Sequence, residues 1–296
     1  MRYRIALIAA TMAAGACANL PATTTPDSGA NTATSSVEFS TLTTINEAAT
    51  SPLGCEGDAD AYRVDGPLGI VGGPGADAQL ISGVRLVKRG ECERFEVALS
   101  TDGGAPATSL PVAEVELIAA SGVIRITFAS SVTRSAITDS ILEGTLIERA
   151  YVVRALDGSI FVDAHLSAAV AARIFVRQDP ARVAVEVQPI ESQPIAFPRV
   201  GGLVVVTGPT AGSIEYPITL TGYSRTFEAN VIARLCCDTS GGVTQVATTA
   251  ADYLELWGEF SITIDDGPGG DVTIFVGEDS PKDGTPIGVD FMFSAG

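Results

Sequence analysis

From about residue 60 onward, apolar and polar positions alternate in short runs and do not recur at helical spacing. β-Branched residues fill these runs, and Gly, Pro, Asp and Ser separate them, which is the pattern of strands joined by turns. Residues 84–88 and 95–99 read as a strand pair around Arg89-Gly90-Glu91. Residues 112–119 and 123–129 read as a hairpin around Ala120-Ser121-Gly122. Residues 146–154 and 160–164 flank Asp157-Gly158, where the glycine supplies the positive φ of a tight turn. Residues 173–177 and 183–187 flank Gln178-Asp179-Pro180. Helical spacing is weak throughout; the Ala-rich stretch 167–172 is the one short helix candidate and reads equally as a loop.

Pro189, Pro194 and Pro198, with polar spacers, make 189–200 a stiff linker and a domain boundary. Beyond it, residues 203–207, 218–222, 231–235, 243–248, 260–264, 272–276 and 289–293 follow at roughly ten-residue spacing. About seven short strands in a hundred residues is the count of an immunoglobulin-like sandwich. The predicted architecture is all-β, with two β-sandwich domains in tandem over 54–188 and 201–296.

The first 53 residues are different. Met1-Arg2-Tyr3-Arg4 precedes an apolar run over 5–16, which is the form of a secretory signal peptide. That run is too short to span a bilayer, which needs about 20 residues. Ala14-Gly15-Ala16-Cys17 places small residues before a cysteine, as in a bacterial lipobox, with Ala14 where leucine is usual. Residues 1–17 then form a lipoprotein signal with Cys17 lipidated, and the acyl chains hold the protein to the membrane. The rival reading is cleavage after Ala16-Cys17-Ala18 and free secretion. Residues 18–53 are rich in Thr, Ser and Ala and predict a disordered tether. The expected location is therefore extracytoplasmic.

Charge narrows the partners. The chain carries 18 Lys+Arg against 35 Asp+Glu, a formal net charge of −17. Loss of Arg2 and Arg4 with the leader takes it near −19. An acidic surface repels nucleic acid, and it repels anionic wall polymers unless cations bridge them. An envelope protein is the better partner, with a cell-wall polymer as the other; no small-molecule substrate and no resident cofactor are implied.

Candidate chemistry is sparse. With a single His, His165, no His-rich metal site can form; it reads as a solvated or hydrogen-bonded surface residue. No G-x-S-x-G elbow is present, and Gly72-Gly73-Pro74-Gly75 and Gly201-Gly202 read as turns. Cys55 and Cys92 are the natural disulfide pair of an exported domain, the alternative being two buried thiols. Cys236 and Cys237 are adjacent. They form either a strained vicinal disulfide or, on an extended strand, two unbonded thiols on opposite faces. Asp58 and Asp60, and the turn carrying Asp265, Asp266 and Asp271, are weak divalent-cation candidates, because Asp and Gly are also ordinary turn residues. Trp257 reads as core or as an edge plug of the second sandwich.

Two resemblances add to this reading. Phe95-Glu96-Val97-Ala98-Leu99 and the closing run Phe175-Val176-Arg177-Gln178-Asp179-Pro180-Ala181-Arg182-Val183 resemble the AMIN-like domain of exported bacterial proteins. Residues 201–296 are similar to the immunoglobulin-like domain of bacterial spore germination proteins. Pro217-Ile218-Thr219-Leu220-Thr221-Gly222, Phe227-Glu228-Ala229-Asn230-Val231, Trp257-Gly258-Glu259-Phe260 and Ser280-Pro281-Lys282-Asp283-Gly284 carry that match. The Cys236-Cys237 pair departs from the pattern. The resemblances imply envelope modules, and the expected role is a non-enzymatic binding or scaffolding lipoprotein. The competing expectations are a carboxylate-dependent wall glycan hydrolase and a purely structural spacer.

Overall fold

The computed structural model describes residues 55, 61–178, 180–191, 196, 198–210, 212–236 and 243–295. The described chain is built from strands joined by turns. In the first half these are β1 (Gly66–Val71), β2 (Leu80–Arg89), β3 (Cys92–Ser100), β4 (Ala113–Ile118), β5 (Val123–Phe128), β6 (Arg134–Ser135), β7 (Asp139–Ile141), β8 (Ile147–Arg154), β9 (Ile160–Leu166), β10 (Val170–Arg177) and β11 (Arg182–Pro189). In the second half they are β12 (Arg199–Gly201), β13 (Val204–Gly208), β14 (Ser213–Ile214), β15 (Ile218–Ser224), β16 (Asn230–Cys236), β17 (Thr244–Thr249), β18 (Trp257–Ile264), β19 (Gly270–Asp279) and β20 (Pro286–Ala295). No helix among the described residues is long and apolar enough to cross a membrane.

The fold is all-β with two sandwich cores. In the first, the sheet β10-β11-β3-β2-β6 packs on β1-β4-β5-β9-β8. Phe95, Val97, Val183 and Val185 from one layer meet Val115, Ile124, Ile126 and Val162 from the other. In the second, the sheet β14-β20-β19-β16-β17 packs on β18-β15-β13-β12, and Val231, Ile274 and Phe293 meet Leu220, Phe260 and Ile262. β4 shows how the sequence selects the fold: its side chains alternate buried and exposed from Ala113 onward, one face to the core and one to water. The Ala-rich stretch at 167–172 forms no helix; its end belongs to β10.

The two sandwiches share a layer. β18 pairs in parallel with β8, Trp257 opposite Val153 and Gly258 opposite Arg154. The pairing merges the inner layers into one ten-stranded sheet. The join is reinforced from several directions. Leu256, just before β18, is 1% exposed and belongs to the first core. Arg154 donates to Asp252 at 3.0 Å, and the Leu156 N–H donates to Glu259 at 3.0 Å. Gly258 is required here because a Cβ would collide with the backbone of Asp252.

Candidate functional site

Two regions gather chemistry. The first is the outer face of the shared sheet along the β8–β18 join. Alternation sends Ala150 and Val152 into the first core and Tyr151 and Val153 to the opposite face. There they pack with Phe161, Val205, Tyr223 and Trp257. The Tyr151 ring stands edge-on to Trp257 at 4.9 Å and lies 4.7 Å from the His165 ring. His165 Nε2 is hydrogen-bonded to the Tyr223 hydroxyl. β9 and β15, which carry these two residues, are three strand spacings apart, about 14 Å in a flat sheet. Their contact therefore requires the sheet to be creased along the join, with its outer faces turned toward each other.

The crease buries its polar groups. His165 is 2% exposed, which corrects the expected surface histidine: β9 runs on to Leu166, and the second sandwich covers its outer face. Burial, with the nearby Arg149 charge, lowers the His165 pKa to about 3. Burial also pushes the Tyr151 hydroxyl up to about 12 and holds Tyr223 well above its ordinary value. Asp163, fully buried, takes Arg125 Nε and Nη2 at 2.8 Å each, and the guanidinium lies 4.0 Å over the Phe161 ring. Burial opposes the arginine's charge, and the Asp163 pair outweighs it, holding Arg125 above its ordinary pKa. A cleft of about 280 Å³ opens beside Arg125, lined also by Val123, Thr207, Pro209, Thr210 and Thr221.

The second region is one end of the immunoglobulin-like sandwich. Phe227 is 56% exposed on the β15–β16 turn. Glu228 and Ala229 follow it with φ of 55° and 59°, a left-handed pair without glycine. Glu278, buried on β19, accepts the Phe227 N–H at 2.7 Å and fixes the turn. Two exposed leucines lie around the neighbouring Arg225. Leu203 accepts the Arg225 backbone N–H through its carbonyl, and the Arg225 guanidinium reaches the Leu254 carbonyl. Sequence reasoning singled out Phe227 and Glu228 but gave Glu278, Leu203 and Leu254 no part in this turn, because no local pattern links them to it.

The remaining sequence candidates fall as follows. Ser280, Lys282, Asp283 and Gly284 form the β19–β20 turn: Gly284 N–H donates to the Ser280 carbonyl and Thr285 N–H to Asp283. A disulfide joins Cys55 to Cys92, with Cα atoms 5.5 Å apart. Cys236 ends β16, while Cys237, Cys17, Asp58 and Asp60 lie outside the described residues. Asp265, Asp266 and Asp271 are exposed around the β18–β19 turn. No group of three or more His, Cys, Asp or Glu converges on one point among the described residues.

Charge is not spread evenly. On the outer face of the β10-β11-β3-β2 sheet, Glu96 lies among Arg85 at 2.6 Å, Arg182 at 3.2 Å, Arg177 at 3.6 Å and Arg94 at 3.7 Å. Arg173 pairs with Glu186 at 3.0 Å. Five arginines of an acidic chain thus gather on one face around two glutamates, a local excess that the total of −17 conceals.

Residues 203–285 match the family model described as the immunoglobulin-like domain of bacterial spore germination. The match runs from the residue before β13 to the end of the β19–β20 turn and covers both Phe227 and Trp257. No curated protein and no solved structure matches the chain.

Proposed function

We propose that this chain is a non-enzymatic binding or scaffolding lipoprotein of the bacterial envelope, anchored through Cys17 and contacting an envelope protein. The observation that carries the reading is the exposed Phe227, followed by the left-handed pair Glu228 and Ala229 at the end of an immunoglobulin-like sandwich. Loops at the ends of such sandwiches are their usual contact surfaces. Left-handed non-glycine residues cost free energy and concentrate at functional sites. Exposed acids flank the tip, Glu228 in the turn and Glu255 beside Leu254. This favours a partner with an apolar pocket and a basic rim over an anionic polymer. The AMIN-like resemblance of the first sandwich supports an envelope setting.

A hydrolase reading draws less support. Its two carboxylates must face a cleft, whereas the buried Glu93, Glu96, Asp163 and Glu186 are each engaged by N–H donors. The test is retention of the mature protein on purified peptidoglycan and on envelope extract, with a photo-crosslinker at position 227. A defined protein crosslinked through position 227, whose retention by the protein without crosslinker is lost in Phe227→Ala, is the expected result. Retention on neither material overturns the reading. Palmitate labelling, abolished in Cys17→Ala, checks the anchor separately.

A further inference from the structure

β17 is an edge strand of unusual composition. It reads Thr244-Gln245-Val246-Ala247-Thr248-Thr249, with no charge, no proline and no glycine. Among the described residues it pairs with β16 on one side and with no strand on the other. Open edges are normally blunted by charge, proline, bulges, shortness or a covering segment. The other described edges follow that rule. β1 carries Pro67 and a bulge between Pro67 and Gly69. β10 carries Arg173 and Arg177, and Arg63 exchanges both backbone hydrogen bonds with Ala172, each 2.8 Å. β12 has three residues including Arg199, and β6 and β14 have two each.

The open side of β17 can be assigned residue by residue. The Ala250 N–H donates to the Ala229 carbonyl at 2.9 Å, in register with the Asn230–Thr249 pair that follows. Antiparallel strands alternate bonded and non-bonded pairs. The backbone groups of residues 244, 246 and 248 therefore serve β16, and those of Gln245, Ala247 and Thr249 face away from it. The side chains of these last three residues are exposed.

We propose that β17 is a self-association edge, which pairs antiparallel with β17 of a second copy about a twofold axis through Ala247. This register places Ala247 opposite Ala247, Gln245 opposite Thr249 and Val246 opposite Thr248. Every outward N–H then meets an outward carbonyl, with the smallest side chain at the axis. The choice of a second copy rests on this self-complementarity and on charge. Two chains of −17 repel, and an approach along the one long uncharged edge among the described residues avoids juxtaposing like charges. The contact is isologous and closes on itself, giving a dimer and not a fibre.

Sedimentation of the full chain over a hundredfold concentration range tests this. Ala247→Pro removes an N–H that β16 does not use, and proline is tolerated on an edge strand in that position. Ala247→Lys changes only an exposed side chain and serves as the second variant if the proline disturbs folding; circular dichroism monitors both. The wild type is expected to shift from monomer to dimer with concentration, and both folded variants to lose at least tenfold in association constant. A wild type that stays monomeric overturns the proposal, even if β17 takes a strand of another protein. Variants that dimerise as well as the wild type also overturn it, because the contact then lies elsewhere.

Discussion

His165 and Tyr223 are hydrogen-bonded across the crease, one residue from each sandwich. Burial of the histidine there, with the Arg149 charge nearby, makes the join sensitive to acid. In the unfolded chain the histidine titrates near its ordinary 6.5, whereas in the fold it titrates near 3. Between these values the unfolded state holds a proton that the folded state lacks, so stability falls as pH drops from 6.5 toward 3. The slope from this group is about 1.36 kcal/mol per pH unit. Urea melts of the wild type and His165→Leu between pH 7 and 4.5 should show a shallower acid limb in the variant. Parallel limbs would mean that His165 is protonated in the fold.

Glu93 makes a second prediction, inside the first sandwich. It is 2% exposed, and its carboxylate accepts the backbone N–H groups of Thr145 at 2.5 Å, Leu146 at 3.0 Å and Ile147 at 2.9 Å. Glu93→Ala leaves these donors without their acceptor, at about 1–3 kcal/mol for each that stays buried. Gly144→Ala attacks the same turn sterically, since its Cβ would overlap Glu93 and the Ile147 carbonyl. Both variants should lower the denaturation midpoint markedly while Glu93→Gln, which keeps one acceptor oxygen, loses less. Equal loss in Gln and Ala would show that the negative charge, and not the acceptor, is what the turn requires.

Strands made of β-branched runs bounded by turn residues were legible in the sequence. The pairs β4–β5, β8–β9 and β10–β11 lie where β-branched runs and turn residues put them, and so do the strands of the second sandwich. β1 was missed because Gly66-Pro67-Leu68-Gly69 carries no β-branched signal, and β12 and β14 because they are two or three residues long. The join was illegible for a different reason. Alternation tells which residues leave a core, not whether another domain covers them. His165 therefore looked like a surface residue, and Trp257 like a residue of one sandwich only. The Phe227 turn was partly legible: the motif marked the tip, but Glu278, which fixes it, lies 51 positions away.

That turn also yields a prediction of opposite sign. Glu228 is exposed with φ of 55°, a conformation glycine adopts without penalty. Glu228→Gly should stabilise the chain by up to about 1 kcal/mol, read as a higher melting temperature. If the left-handed turn serves partner contact, the same variant weakens crosslinking through position 227. A lower melting temperature would show that the glutamate side chain contributes to folding more than its backbone costs.

Leu256 carries the sharpest test of the join. It precedes β18 in the second half of the chain, yet its side chain is part of the first core and 1% exposed. Unfolding the second sandwich therefore withdraws a core residue from the first, together with the β8–β18 pairing and the Arg154–Asp252 bond. The two sandwiches should melt as one cooperative unit, although each has a core large enough to define its own domain. Leu256→Ala opens a cavity in the first sandwich at about 2–5 kcal/mol and weakens the coupling. Calorimetry should give one transition for the wild type; the variant should melt lower and with a broader or split peak. Two resolved transitions in the wild type would mean that the shared sheet transmits too little energy to couple the halves.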